Sequence, residues 1–110
     1  MKPWLLVITD KPRTRALFRD NRFIESHYNR HFVRNCDKAL ADLKERTRFV
    51  HTVVVSDTLT ERFATEYTAL HHRPHLIIFG ADISSPRHLR IERVTDMAGL
   101  EAVLREAERR

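Results

Sequence analysis

A three-layer α/β domain, with a central parallel sheet covered by helices on both faces, is the fold this chain predicts. Short unbroken apolar runs at Trp4–Thr9, Val53–Ser56 and Leu76–Phe79 read as strands buried on both faces, the pattern of parallel sheets. Segments of helical period separate them, so strands and helices alternate along the chain. Two of the runs end on an aspartate, Asp10 and Asp57, and the third on the small pair Gly80–Ala81. Ligands in open α/β sheets bind beyond the carboxyl ends of the strands. Two carboxylates placed there on neighbouring strands form an acidic pocket suited to a divalent cation.

The elements follow in order. Pro12 suits the first position of a helix, and Ala16, Leu17, Phe23 and Ile24 recur at helical spacing, which predicts one helix over Arg13–Ile24. Ser26–Arg30 is polar and reads as a connection, and His31–Asn35 as a weak second strand. Asp37 offers an N-cap for a helix to Arg48 that buries Ala39, Leu40 and Leu43. Val50–Ser56 is the strongest strand. Thr58 and Glu61 have capping-box spacing, opening a helix with Phe63, Ala64, Tyr67 and Leu70 on one face, and Pro74 stops it. His75–Phe79 is the next strand. Ser85–Pro86 suggests a short helical turn, so the fourth helix is shortened, and Ile91–Val94 is a brief last strand. Asp96 caps a terminal helix whose Met97, Leu100, Val103, Leu104 and Ala107 make one stripe.

Composition bounds the function. The 110 residues make one domain, expected over residues 1–110, with no second core. The net charge of +5 makes the surface basic, and sixteen of the twenty cationic side chains are arginine. Arginine pairs bidentately with carboxylate and phosphate, so acidic proteins and nucleic acid are both partners to weigh; a genome that favours arginine codons is the plain alternative. The lone Cys36 excludes an intrachain disulfide and fits a reducing compartment. The first apolar run meets Asp10 at once, so neither a signal peptide nor a membrane span is expected and the protein reads as cytoplasmic.

Taken in order, several segments resemble the receiver domain of two-component response regulators. Val7-Ile8-Thr9-Asp10-Lys11-Pro12 is similar to that family's first strand and acidic turn, and Asn35-Cys36-Asp37-Lys38-Ala39-Leu40 to its second strand end and helix start. Val53-Val54-Val55-Ser56-Asp57 stands at the phosphoacceptor strand, Ile77-Ile78-Phe79-Gly80-Ala81 at the fourth strand, and Val94-Thr95-Asp96-Met97 with Leu100 at the fifth strand and last helix. The resemblance implies a flavodoxin-like (βα)5 fold. It also implies Asp57 as phosphoacceptor, and Mg²⁺ held by Asp10, Asp57 and the backbone carbonyl of Leu59. Gly80, Ala81 and Arg93 then take the phosphate-pocket positions. Mg²⁺ is a small, hard ion that accepts sites built from few carboxylates plus water.

The chain departs from the family at each part that reads or relays the phosphoryl group. Thr9 stands where the family has a second acid beside Asp10, and Gly80 where it has a hydroxyl. No lysine follows Lys44 and no Phe, Tyr or Trp follows Phe79, so the fifth-strand lysine and the switch aromatic are both missing. Arg93 offers a charge, but a planar fork does not replace a point ammonium. These losses imply a degenerate, pseudo-receiver: a stand-alone signalling module, not an enzyme, that works through protein–protein interaction. Two alternatives stay open, an active phosphoacceptor using Asp57 and Mg²⁺, and a basic nucleic-acid-binding module. Arg15, Arg19 and Arg22, with Arg13, offer a face for an acidic protein partner, and the terminal β–α segment is the homodimer face that the resemblance implies.

Other constellations are weaker. His71 and His75 have the spacing of a helical zinc clamp, but Pro74 between them breaks that geometry. The chain has two glycines, Gly80 and Gly99, which leaves no P-loop, dinucleotide fingerprint or nucleophile elbow. Basic residues interleaved with aromatics, as single-strand binders use them, are not evident.

Overall fold

The computed structural model describes residues 2–45, 50–56, 61–70, 74–80 and 92–108. The strands are β1 (Trp4–Ile8), β2 (Asn29–Val33), β3 (Val50–Ser56), β4 (His75–Phe79) and β5 (Glu92–Val94). The helices are α1 (Pro12–Arg19), α2 (Arg22–His27), α3 (Cys36–Glu45), α4 (Glu61–Thr68) and α5 (Met97–Glu108). All strands pair in parallel, in the order β2-β1-β3-β4-β5.

Side-chain alternation along the strands divides the core into two layers. Leu5 and Val7 of β1, Val54 of β3, and Ile77 and Phe79 of β4 face one side. There they meet Phe18 of α1, Ile24 of α2, and Leu100 and Leu104 of α5. Leu6, Ile8, Val53, Val55 and Leu76 face the other side, against Ala39 and Leu40 of α3 and Phe63 and Tyr67 of α4. A strand buried on both faces cannot show period-two polarity, which is why these segments read as continuous apolar runs.

The structure redraws the first crossover. One helix was expected over Arg13–Ile24, but α1 ends at Arg19 and α2 begins at Arg22. The break falls on Asp20-Asn21 because Asn21 is a better cap than a helix-interior residue. Its side-chain oxygen accepts from the Ile24 amide at 2.9 Å, while its amide nitrogen donates to Glu101 of α5 at 2.8 Å. The polar stretch read as a connection is therefore helical to His27, and β2 begins at Asn29, two residues ahead of expectation. In α3, Asn35 rather than Asp37 caps the first turn, accepting from the Lys38 amide at 2.8 Å. Asp96 caps α5 as expected, accepting from Gly99 at 2.7 Å. The Thr58 half of the capping box and the short turn at Ser85–Pro86, with its shortened helix, lie outside the described residues.

Candidate functional site

Register decides which strand ends meet. Ile8 of β1 pairs with Val55 of β3, Ser56 of β3 with Phe79 of β4, and Phe79 with Val94 of β5. Two further backbone bonds carry the sheet one residue past its strands, Thr9 N–H to Val33 C=O at 3.0 Å and Gly80 N–H to Val94 C=O at 2.9 Å. Asp10 two residues past β1, Ser56 at the end of β3, and Gly80 and Thr95 just after β4 and β5 therefore lie at one edge of the sheet. The strand order reverses between β1 and β3, so this edge includes the topological switch point where α/β sheets bind ligands.

Asp10 is exposed there and open to solvent. Its neighbour Thr9 is buried, and its hydroxyl accepts from the Lys11 amide at 3.1 Å. That hydroxyl holds the turn into α1, and a carboxylate in its place would be buried. Gly80 has φ 144°, a conformation that side chains with a Cβ rarely adopt. The hydroxyl missing at Gly80 thus goes with a backbone shape that a Thr or Ser would occupy only under strain. Asp57, Leu59 and Ala81 lie outside the described residues, and Arg93 falls in β5 opposite Ile78. Among the described residues no group of three or more His, Cys, Asp or Glu could hold a metal ion. Of the sequence-predicted ligands, the described residues place Asp10 at this edge, while Asp37 pairs with Arg62 and Asp96 caps α5.

The arginines expected to form one face fall into different settings. Arg22 sits on α2, exposed and beyond the break. Arg19 pairs with Asp20 at 3.1 Å, and this contact raises the guanidinium and lowers the Asp20 carboxyl from their ordinary values. Arg15 is half-buried with its guanidinium 6.0 Å from the centre of the Phe32 ring on β2. Sequence reasoning missed Arg30. Its side chain donates to the carbonyl of Phe18 at 3.1 Å and to that of Arg19, closing the end of α1 as a cation at a helix C-terminus. The sequence reading set Arg30 in a connection, and its role has no meaning until β2 begins at Asn29 and lies beside α1.

A second polar cluster lies at the opposite edge, where β3 and β4 begin. The His51 ring lies 5.8 Å from that of Tyr28 and 5.4 Å from that of His75, and its Nδ1 is 2.8 Å from the Thr52 hydroxyl. Burial, then the neighbouring His75, lowers the His51 pKa, with Glu108 opposing. Burial, then the Glu108 carboxylate, pushes the Tyr28 phenol up to about 12. Unfolded, His51 titrates near 6.5. Between that value and its lower folded one the unfolded chain binds more protons. Stability from this group is full above pH 6.5 and falls on acidification below it. Urea midpoints measured from neutral to mildly acid pH are expected to show that fall, and His51→Gln to flatten it. His75 opens a strand, so it shares no helix face with His71, which lies outside the described residues.

With the geometry in place, comparison with known proteins yields a likeness of fold. No protein-family model matches the chain, and neither does any curated protein. A solved structure, described as a response regulator receiver domain protein from Bacillus halodurans, superposes with a TM-score of 0.72 over 97% of each chain at 10% identity. The architecture is therefore that of a receiver domain, the flavodoxin-like α/β fold. At that identity, fold alone is shared. No helix among the described residues is long and apolar enough to cross a membrane.

Proposed function

We propose that this chain is a receiver-like regulatory module, not a catalyst, that acts by binding other proteins and whose phosphorelay is impaired. One observation carries the reading: a receiver fold spans the chain, yet its last strand runs into Val94-Thr95-Asp96 with no lysine anywhere after Lys44. Thr9 and Gly80 support it, since the first is buried in a local turn and the second sits where a hydroxyl-bearing residue is strained. Each lost charge-assisted hydrogen bond removes about 1.5–3 kcal/mol from the phosphorylated state. Moving a two-state switch from one form to the other takes about 5.5 kcal/mol, so two or three such losses leave little to drive it.

In this reading Asp57 keeps the phosphoacceptor position, and Asp10, Asp57 and the Leu59 carbonyl would hold Mg²⁺. The ion would neutralise the carboxylates and an incoming phosphoryl group. Signal output falls to surfaces, with the cations of α1 and α2, Arg15, Arg19 and Arg22, facing a protein partner. The test is intact-mass measurement after incubation with Mg²⁺ and a small phosphodonor. The expected outcome is little or no phosphoryl adduct. A full adduct that Asp57→Asn abolishes would replace this reading with an active phosphoacceptor.

A further inference from the structure

We infer that the open edge of β2, with the cationic ridge beside it, docks an extended acidic segment of a partner protein by strand addition. β2 stands at the end of the sheet order and pairs only with β1 among the described residues. The Asn29 N–H donates to Pro3 and the Val33 carbonyl accepts from Thr9, so the backbone of residues 29, 31 and 33 points towards β1. In a parallel pair the alternate residues point the other way. The N–H and C=O groups of Arg30 and Phe32 are therefore aimed off the sheet, where an added strand would bond to them.

The side chains at this edge state what such a strand should carry. Arg30 and Phe32 point to the α1 face of the sheet, as the contacts of Arg30 with α1 and of Phe32 with Arg15 show, and Arg34 follows directly on the strand. Arg34 is exposed, and so are Lys11, Arg13 and Arg19 on the neighbouring helix and turn. The Nε of Arg15 is buried without a hydrogen-bond partner among the described residues. Of the acids near this edge, Asp20 is paired with Arg19, Asp37 with Arg62, and Asp42 with His31 of β2, while Asp10 and Glu25 are exposed. Main-chain bonds would give affinity, and carboxylates at alternate positions would meet the arginines as charge-assisted pairs. A polyanionic nucleic acid would use the charges but not the backbone groups, and the edge geometry favours the peptide.

This inference rests on the reading of the chain as a protein-binding module and names the chemistry of the partner. Fluorescence anisotropy tests it with a short labelled peptide of alternating Glu and Val. The controls are its Lys counterpart, the same acidic peptide with alternate backbone amides N-methylated, and a single-stranded oligonucleotide of equal charge. The acidic peptide is expected to bind, and the Lys and N-methylated versions not to. Arg34→Glu, at an exposed position, is expected to weaken binding about tenfold with an unchanged melting curve, and Arg15→Gln to weaken it less. The inference is overturned if the acidic peptide fails to bind, which would leave the arginines as guards against edge pairing. It is equally overturned if the oligonucleotide or the N-methylated peptide binds as well, or if Arg34→Glu has no effect. None of these outcomes touches the phosphodonor experiment, so failure of this inference is distinguishable from failure of the reading it rests on.

Discussion

Phe18→Ala is expected to destabilise the protein by about 3–5 kcal/mol. Phe18 has no exposed surface and carries α1 onto the sheet, where its ring meets Phe79 edge-on at a centroid distance of 5.5 Å. Removing the ring loses its transfer free energy and leaves a cavity that neither the sheet nor α5 can fill without moving. Small domains are stable by only about 5–15 kcal/mol, so this one change removes a large share. A urea titration followed by circular dichroism should show the midpoint fall with the slope unchanged. Leu17→Ala on the same helix is the control. Leu17 is 47% exposed, and a change within about 0.5 kcal/mol is expected.

Val54→Asp is expected to abolish the native state. Val54 is fully buried on β3, the strand flanked by β1 and β4, in the layer that holds Phe18 and Leu104. A carboxylate there would be buried among apolar side chains, and losses of this kind exceed about 4 kcal/mol. Val54→Thr keeps the shape and adds one hydroxyl, which should cost about 1–3 kcal/mol and leave a cooperative transition. Resistance to limited proteolysis separates the two variants. A well-folded Val54→Asp protein would mean that β3 does not occupy the middle of the sheet.

How much of this was legible before any coordinates depended on the kind of signal. Val50–Ser56 and His75–Phe79 match their expected bounds because a strand buried on both faces leaves an apolar run that needs no partner to recognise. Strand β2 is harder. Asn29 to Val33 lie at the sheet edge and are mostly half-buried, so polar residues remain and the apolar signal fades. The break at Asp20-Asn21 was hidden because Ala16, Leu17, Phe23 and Ile24 also fit a single helical period. Yet Asn21 followed three residues later by Ile24, whose amide it caps, was a readable stop-and-start signal. At the site, the strand that Asp10 follows was visible as a run ending in an acid. The positive φ of Gly80 and the burial of Thr9 were not, because both depend on how the turns close over the sheet. The β2 ridge needed the register: Arg15 meets Phe32 across seventeen positions of sequence only once α1 lies over β2.

We propose a receiver fold whose pocket at Asp10 is uncoupled from β5 and α5. Amide chemical-shift mapping tests that most directly, with spectra recorded before and after adding Mg²⁺ and beryllofluoride, a tetrahedral mimic of an acyl phosphate on aspartate. Shift changes are expected only in the residues flanking Asp10 and Asp57, with Glu92–Val94 and Met97–Glu108 unmoved. Changes that spread through β5 into α5 would contradict it.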